Sequence, residues 1–151
     1  MKKKILAAAL AFLMLCGCGG GKNAAYTLEH ADELLNSGAF EGSEMEAVDE
    51  RFAAMLYGID SEDIVECAIY IASNSWTSAD ELAVFILADE QAAIDAEAAL
   101  RVRVKAQLEV MGMYAPDSVP RLENAFINRR GNTVLLAIGD PDIIASIKSI
   151  R

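Results

Sequence analysis

Residues 64–72 have the sequence Ile-Val-Glu-Cys-Ala-Ile-Tyr-Ile-Ala, and this stretch decides the fold. Apolar side chains recur there at every second position from Val65 to Ile71. Successive side chains of a β-strand point to opposite faces, so this period is typical of a half-buried strand. The pattern therefore predicts a strand over residues 64–72 and places Cys67 on the side that faces the core.

A second apolar run, residues 82–88, has the length of a strand and follows a polar loop. Residues 78–81, Ser-Ala-Asp-Glu, could instead form a capping box that opens a helix. We favour a strand, paired with residues 64–72 as a hairpin. A second hairpin is predicted from residues 125–129 and 133–138, because Gly131 between them can take a positive φ at low cost.

Two helices are predicted before the first hairpin. One lies within residues 26–40, where an apolar stripe follows Thr27 as the N-cap. The other begins at Ser43, since Ser43 and Glu46 have the spacing of a capping box. It ends at Gly58, a residue suited to the left-handed conformation that closes helices.

Two more helices are predicted after that hairpin. A long alanine-rich helix follows the N-cap Asp89 and ends near Met113. Asp140 caps a closing helix over residues 142–150, with Pro141 at its first position. Two hairpins joined by a long helix predict an α+β fold, a two-layer domain whose four-stranded antiparallel sheet has helices on one face.

The N-terminus has the pattern of an export signal over residues 1–17. Three lysines precede eleven apolar residues, a run well short of the roughly 20 residues that cross a bilayer. The run ends like a bacterial lipobox, with Leu15 at position −3 and Gly17 at the small −1 position before Cys18. We reject Cys16 as the modified residue, because it would place bulky Leu15 at position −1.

Cleavage before Cys18 predicts a protein anchored to the lipid bilayer of the cell membrane, on its extracytoplasmic face. Two or more acyl chains make such an anchor stable. Residues 18–25 then form a flexible tether, and residues 26–151 form a single domain. The alternative is an ordinary secretory signal followed by a stray thiol.

The composition limits the classes of partner. The net charge is −10, and loss of Lys2, Lys3 and Lys4 with the signal makes it −13. Nucleic acid is therefore not an expected partner. Residues 18–98 hold eighteen acidic and two basic side chains, whereas residues 99–151 hold five acidic and eight basic ones. This asymmetry favours either solvated helix faces or a dipolar surface for an oriented partner.

Four short motifs follow the lipoprotein start in a distinctive order: Leu56-Tyr57-Gly58-Ile59, Ser78-Ala79-Asp80-Glu81-Leu82-Ala83-Val84, Tyr114-Ala115-Pro116 and Gly131-Asn132. In this order they resemble the domain-of-unknown-function 4358 family of small lipoproteins from Gram-positive, clostridia-type bacteria. Thr133 departs from the tyrosine expected after Gly-Asn. The resemblance covers nearly the whole mature chain and implies location and fold class, but it implies no catalytic residue.

Residues able to carry catalysis are few. His30 is the only histidine and lies on a short predicted helix with no nucleophile motif nearby, so a surface position is favoured. Residues 60–63, Asp-Ser-Glu-Asp, lack the spacing of a calcium-binding EF loop, although a weak Ca²⁺ contact is an alternative. No zinc-type pairs of Cys and His occur. We therefore expect no cofactor, no metal and no catalytic residues.

The candidate binding residues are Trp76, Arg121, Arg129 and Arg130. Trp76 is the only tryptophan and lies in a polar segment, where its indole could stack on a sugar or anchor a protein partner. Alternatively it folds back over the end of the sheet. The three arginines could form a small contact for an anion or a partner, or act as solubilising charges.

These observations favour a non-enzymatic, membrane-tethered lipoprotein that binds a protein of an envelope assembly or transport system. The alternative is a module that binds a wall glycan or small solute through the Trp76 loop. An enzyme that uses the carboxylates of residues 60–63 ranks third, because general acid–base catalysis needs a pair held in a pocket.

Overall fold

The computed structural model describes residues 24–149 of the chain. The predicted export signal, the lipobox and Cys18 lie outside the described residues. The described part contains five helices, joined in places by single 3₁₀ turns. The helices are α1 Glu29–Leu35, α2 Ala53–Tyr57, α3 Glu90–Tyr114, α4 Val119–Glu123 and α5 Pro141–Ser149.

The described residues form one antiparallel sheet of five strands in the order β1-β2-β3-β5-β4. The strands are β1 Met45–Ala47, β2 Ile64–Ala72, β3 Glu81–Leu87, β4 Phe126–Arg130 and β5 Thr133–Ile138. The α+β class, both hairpins and the long helix between them are confirmed. The apolar run from Leu82 to Leu87 belongs to a strand, as favoured, because its backbone pairs with β2 on one side and β5 on the other.

The fifth strand, β1, corrects the helix predicted to begin at Ser43. Met45 pairs with Ala72 at the edge of β2, and the N–H of Val48 donates to the Ile69 carbonyl at 2.9 Å. The hydroxyl of Ser43 donates to Asp80 instead of capping a helix. Pairing with the open edge of β2 overrides the local helix signal, and helix α2 begins only at Ala53.

Helices and loops cover both faces of the sheet, not the one face expected. Helices α2 and α3 pack over one face, around Phe85 and Leu136. The segment before β1 and helix α5 pack over the other, around Val84 and Leu135. Strands β3 and β5 are buried along nearly their whole length, which is why residues 82–88 read as a continuous apolar run.

Several local predictions are confirmed at the level of single hydrogen bonds. Asp89 Oδ1 accepts from the Ala92 N–H at 2.8 Å and caps α3. Asp140 Oδ1 accepts from the N–H of Asp142 at 3.0 Å and begins α5. Gly131 has a φ of 57° in the β4–β5 turn, as that turn requires. The N-cap predicted at Thr27 is wrong, because α1 begins after Leu28 without a side-chain capping hydrogen bond.

The sheet has two distinct ends. Glu81 pairs with Ile138, so the loop of residues 73–80 that joins β2 to β3 lies at one end, called here the Trp76 end. Ile86 pairs with Thr133, so the β4–β5 turn lies at the other, called the Gly131 end. Within residues 24–149, no helix combines the length and the apolar character needed to cross a membrane.

Candidate functional site

Trp76 lies on the loop of residues 73–80, and 81% of its surface is exposed. It therefore does not fold back over the end of the sheet. The N–H groups of Thr77 and Ser78 both donate to the Asn74 carbonyl, at 2.8 and 3.0 Å. Ser118 Oγ donates to the Thr77 carbonyl at 2.9 Å. The loop is thus held in one conformation while the indole remains in solvent.

Asp80 anchors the C-terminal end of this loop. Its side chain has no solvent exposure, and Arg121 Nη1 lies 2.7 Å from each of its carboxylate oxygens. Ser43 Oγ donates to Asp80 Oδ2 at 2.5 Å. A buried carboxylate needs a countercharge and hydrogen-bond donors, and helix α4 and the segment before β1 supply them. These contacts join the Trp76 loop to two distant parts of the chain.

Glu81, the next residue and the first of β3, is also buried and forms a second ion pair. Arg103 Nε and Nη2 each donate to one Glu81 oxygen at 2.8 Å, the two-pronged geometry that suits a guanidinium. Gln107 Nε2 also donates to Glu81, at 3.1 Å. The Arg103 guanidinium stacks 4.9 Å from the centre of the Tyr57 ring. Burial, together with the negative charge of Glu81, raises the pKa of the Tyr57 hydroxyl well above 10.

A groove of about 500 Å³ lies above this ion pair. It is formed by the end of α2, the outer face of α3 and the Trp76 loop, which contributes Ser75. We call it the α2–α3 groove; its lining includes Leu56, Tyr57, Val102, Arg103, Gln107 and Val110. Gln107 Oε1 is buried there without a hydrogen-bond partner among the described residues. The Tyr57 hydroxyl is also buried there without a hydrogen-bond partner in the described part of the chain, so the groove has apolar walls and two unsatisfied polar groups.

Apolar side chains are also exposed on the elements that form the groove. Val102 and Val110 line it and are exposed, Val102 to 70%. Met55 on α2 and Met113 at the end of α3 are exposed as well. With Trp76, these side chains give this part of the surface an apolar character, and such patches mark interaction sites more often than chance.

The three candidate arginines do not form one site. Arg121 pairs with Asp80, whereas Arg129 contacts Glu90 at 3.0 Å. The Arg130 guanidinium stacks 4.6 Å from the ring of Tyr26. All are therefore engaged within the domain, and none stands beside Trp76 as a free cation.

Intramolecular ion pairs also account for part of the charge asymmetry along the sequence. Arg103, Arg121 and Arg129 belong to the basic C-terminal part, and each pairs with an acidic residue that precedes residue 99. A dipolar surface directed at a partner is not needed to explain these three arginines, although the chain as a whole keeps a strongly negative net charge.

The residues considered for catalysis have local roles. His30 Nδ1 accepts from the Thr27 N–H at 3.0 Å, and its ring lies edge-on to Tyr26. Asp60 Oδ1 accepts from the Glu62 N–H at 3.0 Å and begins a 3₁₀ turn. Across residues 24–149, no three His, Cys, Asp or Glu side chains lie close enough to share a metal ion.

Sequence reasoning missed the buried ion pairs of Asp80 and Glu81. Both residues are part of the motif at residues 78–84, whose capping-box spacing gives no indication of burial. The available signal was their position directly before a wholly apolar run. A strand that is buried on both faces buries its first residues too, so charges there require partners.

The structure thus defines a small α+β domain with a clamped, exposed tryptophan beside an apolar groove. The chain belongs to the family described as a domain of unknown function (DUF4358), whose model matches residues 38–139. The four motifs that carried the resemblance lie within these residues, whereas Cys18 lies before them. No curated protein and no solved structure matches the chain.

Proposed function

We propose that this protein is a membrane-anchored, extracytoplasmic lipoprotein without enzymatic activity. In this proposal, acylated Cys18 holds the chain to the bilayer. The domain binds a protein of a cell-envelope assembly or transport system through Trp76 and the α2–α3 groove.

The exposure of Trp76 on a clamped loop is the observation that carries the proposal. Tryptophan is enriched among the few side chains that dominate binding energy at protein interfaces. Ser118 and the Asp80–Arg121 pair already hold the loop in place, so little conformational entropy is lost when a partner covers the indole. A large apolar side chain exposed on a loop whose backbone is held in place is well suited to bind a partner.

The α2–α3 groove supports a protein partner in particular. Its apolar walls suit the side chains of a polypeptide segment. The net charge of the chain is strongly negative, which favours a neutral or basic segment over an acidic one.

Site-specific photo-crosslinking in cells tests this proposal. A photoreactive amino acid at Val102, in the groove, is expected to capture one discrete protein. The matched control is Val65, which is 60% exposed but does not line the groove. Equal capture from both positions, or none from Val102, would contradict the proposal.

A matched pair of substitutions then tests whether the captured protein binds the groove. Val102→Asp places an uncompensated charge against the apolar wall and should abolish capture through a crosslinker at Ser75. Val65→Asp should leave that capture unchanged. Loss of capture with both variants would indicate a general effect of added charge.

The second candidate is a wall glycan or small solute bound through Trp76, and the exposed indole is the observation that favours it. Sugar rings stack on such an indole. Soluble wall fragments would then shift the fluorescence of Trp76, and Trp76→Ala would abolish retention on purified peptidoglycan. If Val102→Asp left this retention intact while no protein were captured, the glycan function would replace the protein-binding one.

A further inference from the structure

The first described residues are fastened to the Gly131 end of the sheet. The Tyr26 N–H donates to Thr133 Oγ1 at 2.8 Å, and the hydroxyl of Tyr26 accepts from Asn128 Nδ2 at 2.6 Å. Arg130 stacks on the Tyr26 ring and donates to the Ala24 carbonyl at 3.4 Å. These contacts form what we call the Tyr26 clamp, and they fix the point at which the chain enters the domain.

The Tyr26 clamp and the Trp76 loop lie at opposite ends of the sheet. Thr133, which contacts Tyr26, begins β5, whereas Ile138 at the other end of β5 pairs with Glu81, directly after the Trp76 loop. The seven residues of β3 span about 20 Å at the usual rise of a strand. Trp76 lies beyond that strand, in the loop that precedes it.

The chain between Cys18 and the clamp is short. Residues 18–23 can reach at most about 20 Å even when fully extended. This length is no greater than the length of β3. The lipid attached to Cys18 therefore cannot extend along the whole sheet and beyond the Trp76 loop. The position of the clamp, and not the tether alone, therefore limits how the domain can be oriented.

We infer that the Gly131 end faces the membrane and that the Trp76 loop and the α2–α3 groove face away from it. This inference rests on the lipid anchor of the proposed function. It adds that the partner lies outside the membrane. The exposed apolar side chains near Trp76 bind an extramembrane protein segment and do not insert into the bilayer. The clamp acts as a spacer that presents the binding surface away from the lipid.

Energy transfer from tryptophan to a headgroup-labelled lipid tests this orientation. The mature chain carrying Cys67→Ser is coupled through Cys18 to a maleimide lipid in phosphatidylcholine vesicles that contain a dansyl-labelled lipid. Trp76 is the only tryptophan, so its transfer reports the Trp76 end. The matched protein carries Ser61→Trp and Trp76→Phe, because Ser61 is exposed beside the start of β2 at the Gly131 end.

Transfer from Ser61→Trp is expected to be several-fold more efficient than transfer from Trp76. The emission of Trp76 should also keep the wavelength it has without vesicles. Equal transfer from the two positions, or a blue shift of Trp76 emission on coupling, would overturn the inference and indicate insertion of the apolar surface into lipid.

Release of the clamp provides the second arm of the test. Tyr26→Ala removes the ring that Asn128 and Arg130 hold, and Arg130→Gln removes the stacking and the contact with Ala24, so the difference in transfer between the two tryptophan positions should shrink. Far-ultraviolet circular dichroism identifies a variant that has lost its fold, and Arg130→Gln, with the smaller change, serves if Tyr26→Ala unfolds. An unchanged difference in a folded variant would show that the clamp does not set the orientation.

The anchor in this experiment is chemical, so its result does not depend on lipidation in cells. If cells do not acylate Cys18, the proposed function fails while the orientation imposed by the clamp can still be measured. If the two tryptophans transfer equally while cells do acylate Cys18, the orientation alone fails.

Discussion

Arg121 Nη1 lies 2.7 Å from both carboxylate oxygens of Asp80, although the two residues are 41 positions apart in the sequence. The pair joins helix α4 to the end of the Trp76 loop. Asp80 is buried and Arg121 is partly exposed, so the two residues are not equivalent. Removal of the arginine leaves a buried negative charge, whereas removal of the aspartate leaves a cation that can turn to water.

Arg121→Ala is therefore expected to lower the free energy of unfolding by about 3 kcal/mol, the typical cost of breaking a buried pair. Urea denaturation followed by circular dichroism measures the change. The control is Arg101→Ala, which removes an exposed pair with Glu97 and should cost at most about 0.5 kcal/mol. Adding Asp80→Asn to Arg121→Ala should restore part of the loss; similar losses for Arg121→Ala and Arg101→Ala would contradict the assignment.

Trp76→Ala should leave the free energy of unfolding within about 0.5 kcal/mol of the wild-type value, because the indole is exposed. Phe85→Ala is the contrast, since Phe85 is wholly buried and its truncation should cost about 3 to 5 kcal/mol. Thermal or urea denaturation measures both. A large loss for Trp76→Ala would mean that the indole packs on the domain.

The buried hydroxyl of Tyr57 should make the folded domain less stable at alkaline pH. Its pKa is raised by burial and by the charge of Glu81, so the folded protein binds the hydroxyl proton more tightly than the unfolded chain does. The resulting stabilisation is complete below pH 10 and declines as the pH rises towards the folded pKa, by up to about 1.4 kcal/mol per pH unit. Tyr57→Phe lacks this decline.

Urea denaturation of both proteins at pH 8 and pH 11 tests this difference. The advantage of the wild type over Tyr57→Phe should shrink at pH 11, because Tyr57 ionises to a larger extent in the unfolded chain than in the folded one. All other tyrosines are common to both proteins and cancel in the comparison. An advantage that is equal at the two pH values would show that Tyr57 does not titrate differently on unfolding.

Cys67 should react slowly with thiol reagents in the folded domain. Its side chain is half-buried against the core, and burial, with the charge of Glu50 as a second cause, raises its pKa. In a Cys18→Ser background at pH 8, labelling should be several-fold slower than labelling of the urea-unfolded chain. An added Ser61→Cys supplies an exposed thiol for comparison; equal rates at both positions would exclude the predicted strand orientation.

Lipidation tests the anchor directly. Cys18→Ala should abolish incorporation of labelled fatty acid in cells and leave a precursor that is uncleaved or released. Cys16→Ala should be acylated and processed normally, because Leu15 and Gly17 keep their positions relative to Cys18. Labelling that depends on Cys16 would show that cleavage occurs at the other cysteine.

The hairpins and the long helix could be predicted because their signals are local. The alternation follows from the two faces of β2 from Cys67 onwards, whereas a bulge between Ile64 and Glu66 leaves Val65 exposed and not on the core face. The carboxylate of Asp89 binds an N–H only three residues away. The helix predicted from Ser43 was wrong because its competitor is distant. Ser43 binds Asp80, 37 residues away, and β1 pairs with β2, whose open edge no local pattern reports.

The candidate site also has one part that could be predicted from the sequence and one that could not. Its tryptophan could be named from the chain, since a lone indole in a polar segment is visible there. The groove and the partners of Glu81 could not be named, because Arg103 and Gln107 come from a helix 22 and 26 residues further on.

Periodicity and capping residues were enough to predict the α+β class and most of its elements, whereas the lipid anchor at Cys18 stays a prediction. These signals depend on residues within one helical turn or one strand, where the directions of the side chains repeat regularly. Only the folded chain decided which charges are buried, which arginines are occupied and that Trp76 stays in solvent. A charge can be buried only where a distant element brings its countercharge within hydrogen-bond distance, and that distance is a property of packing.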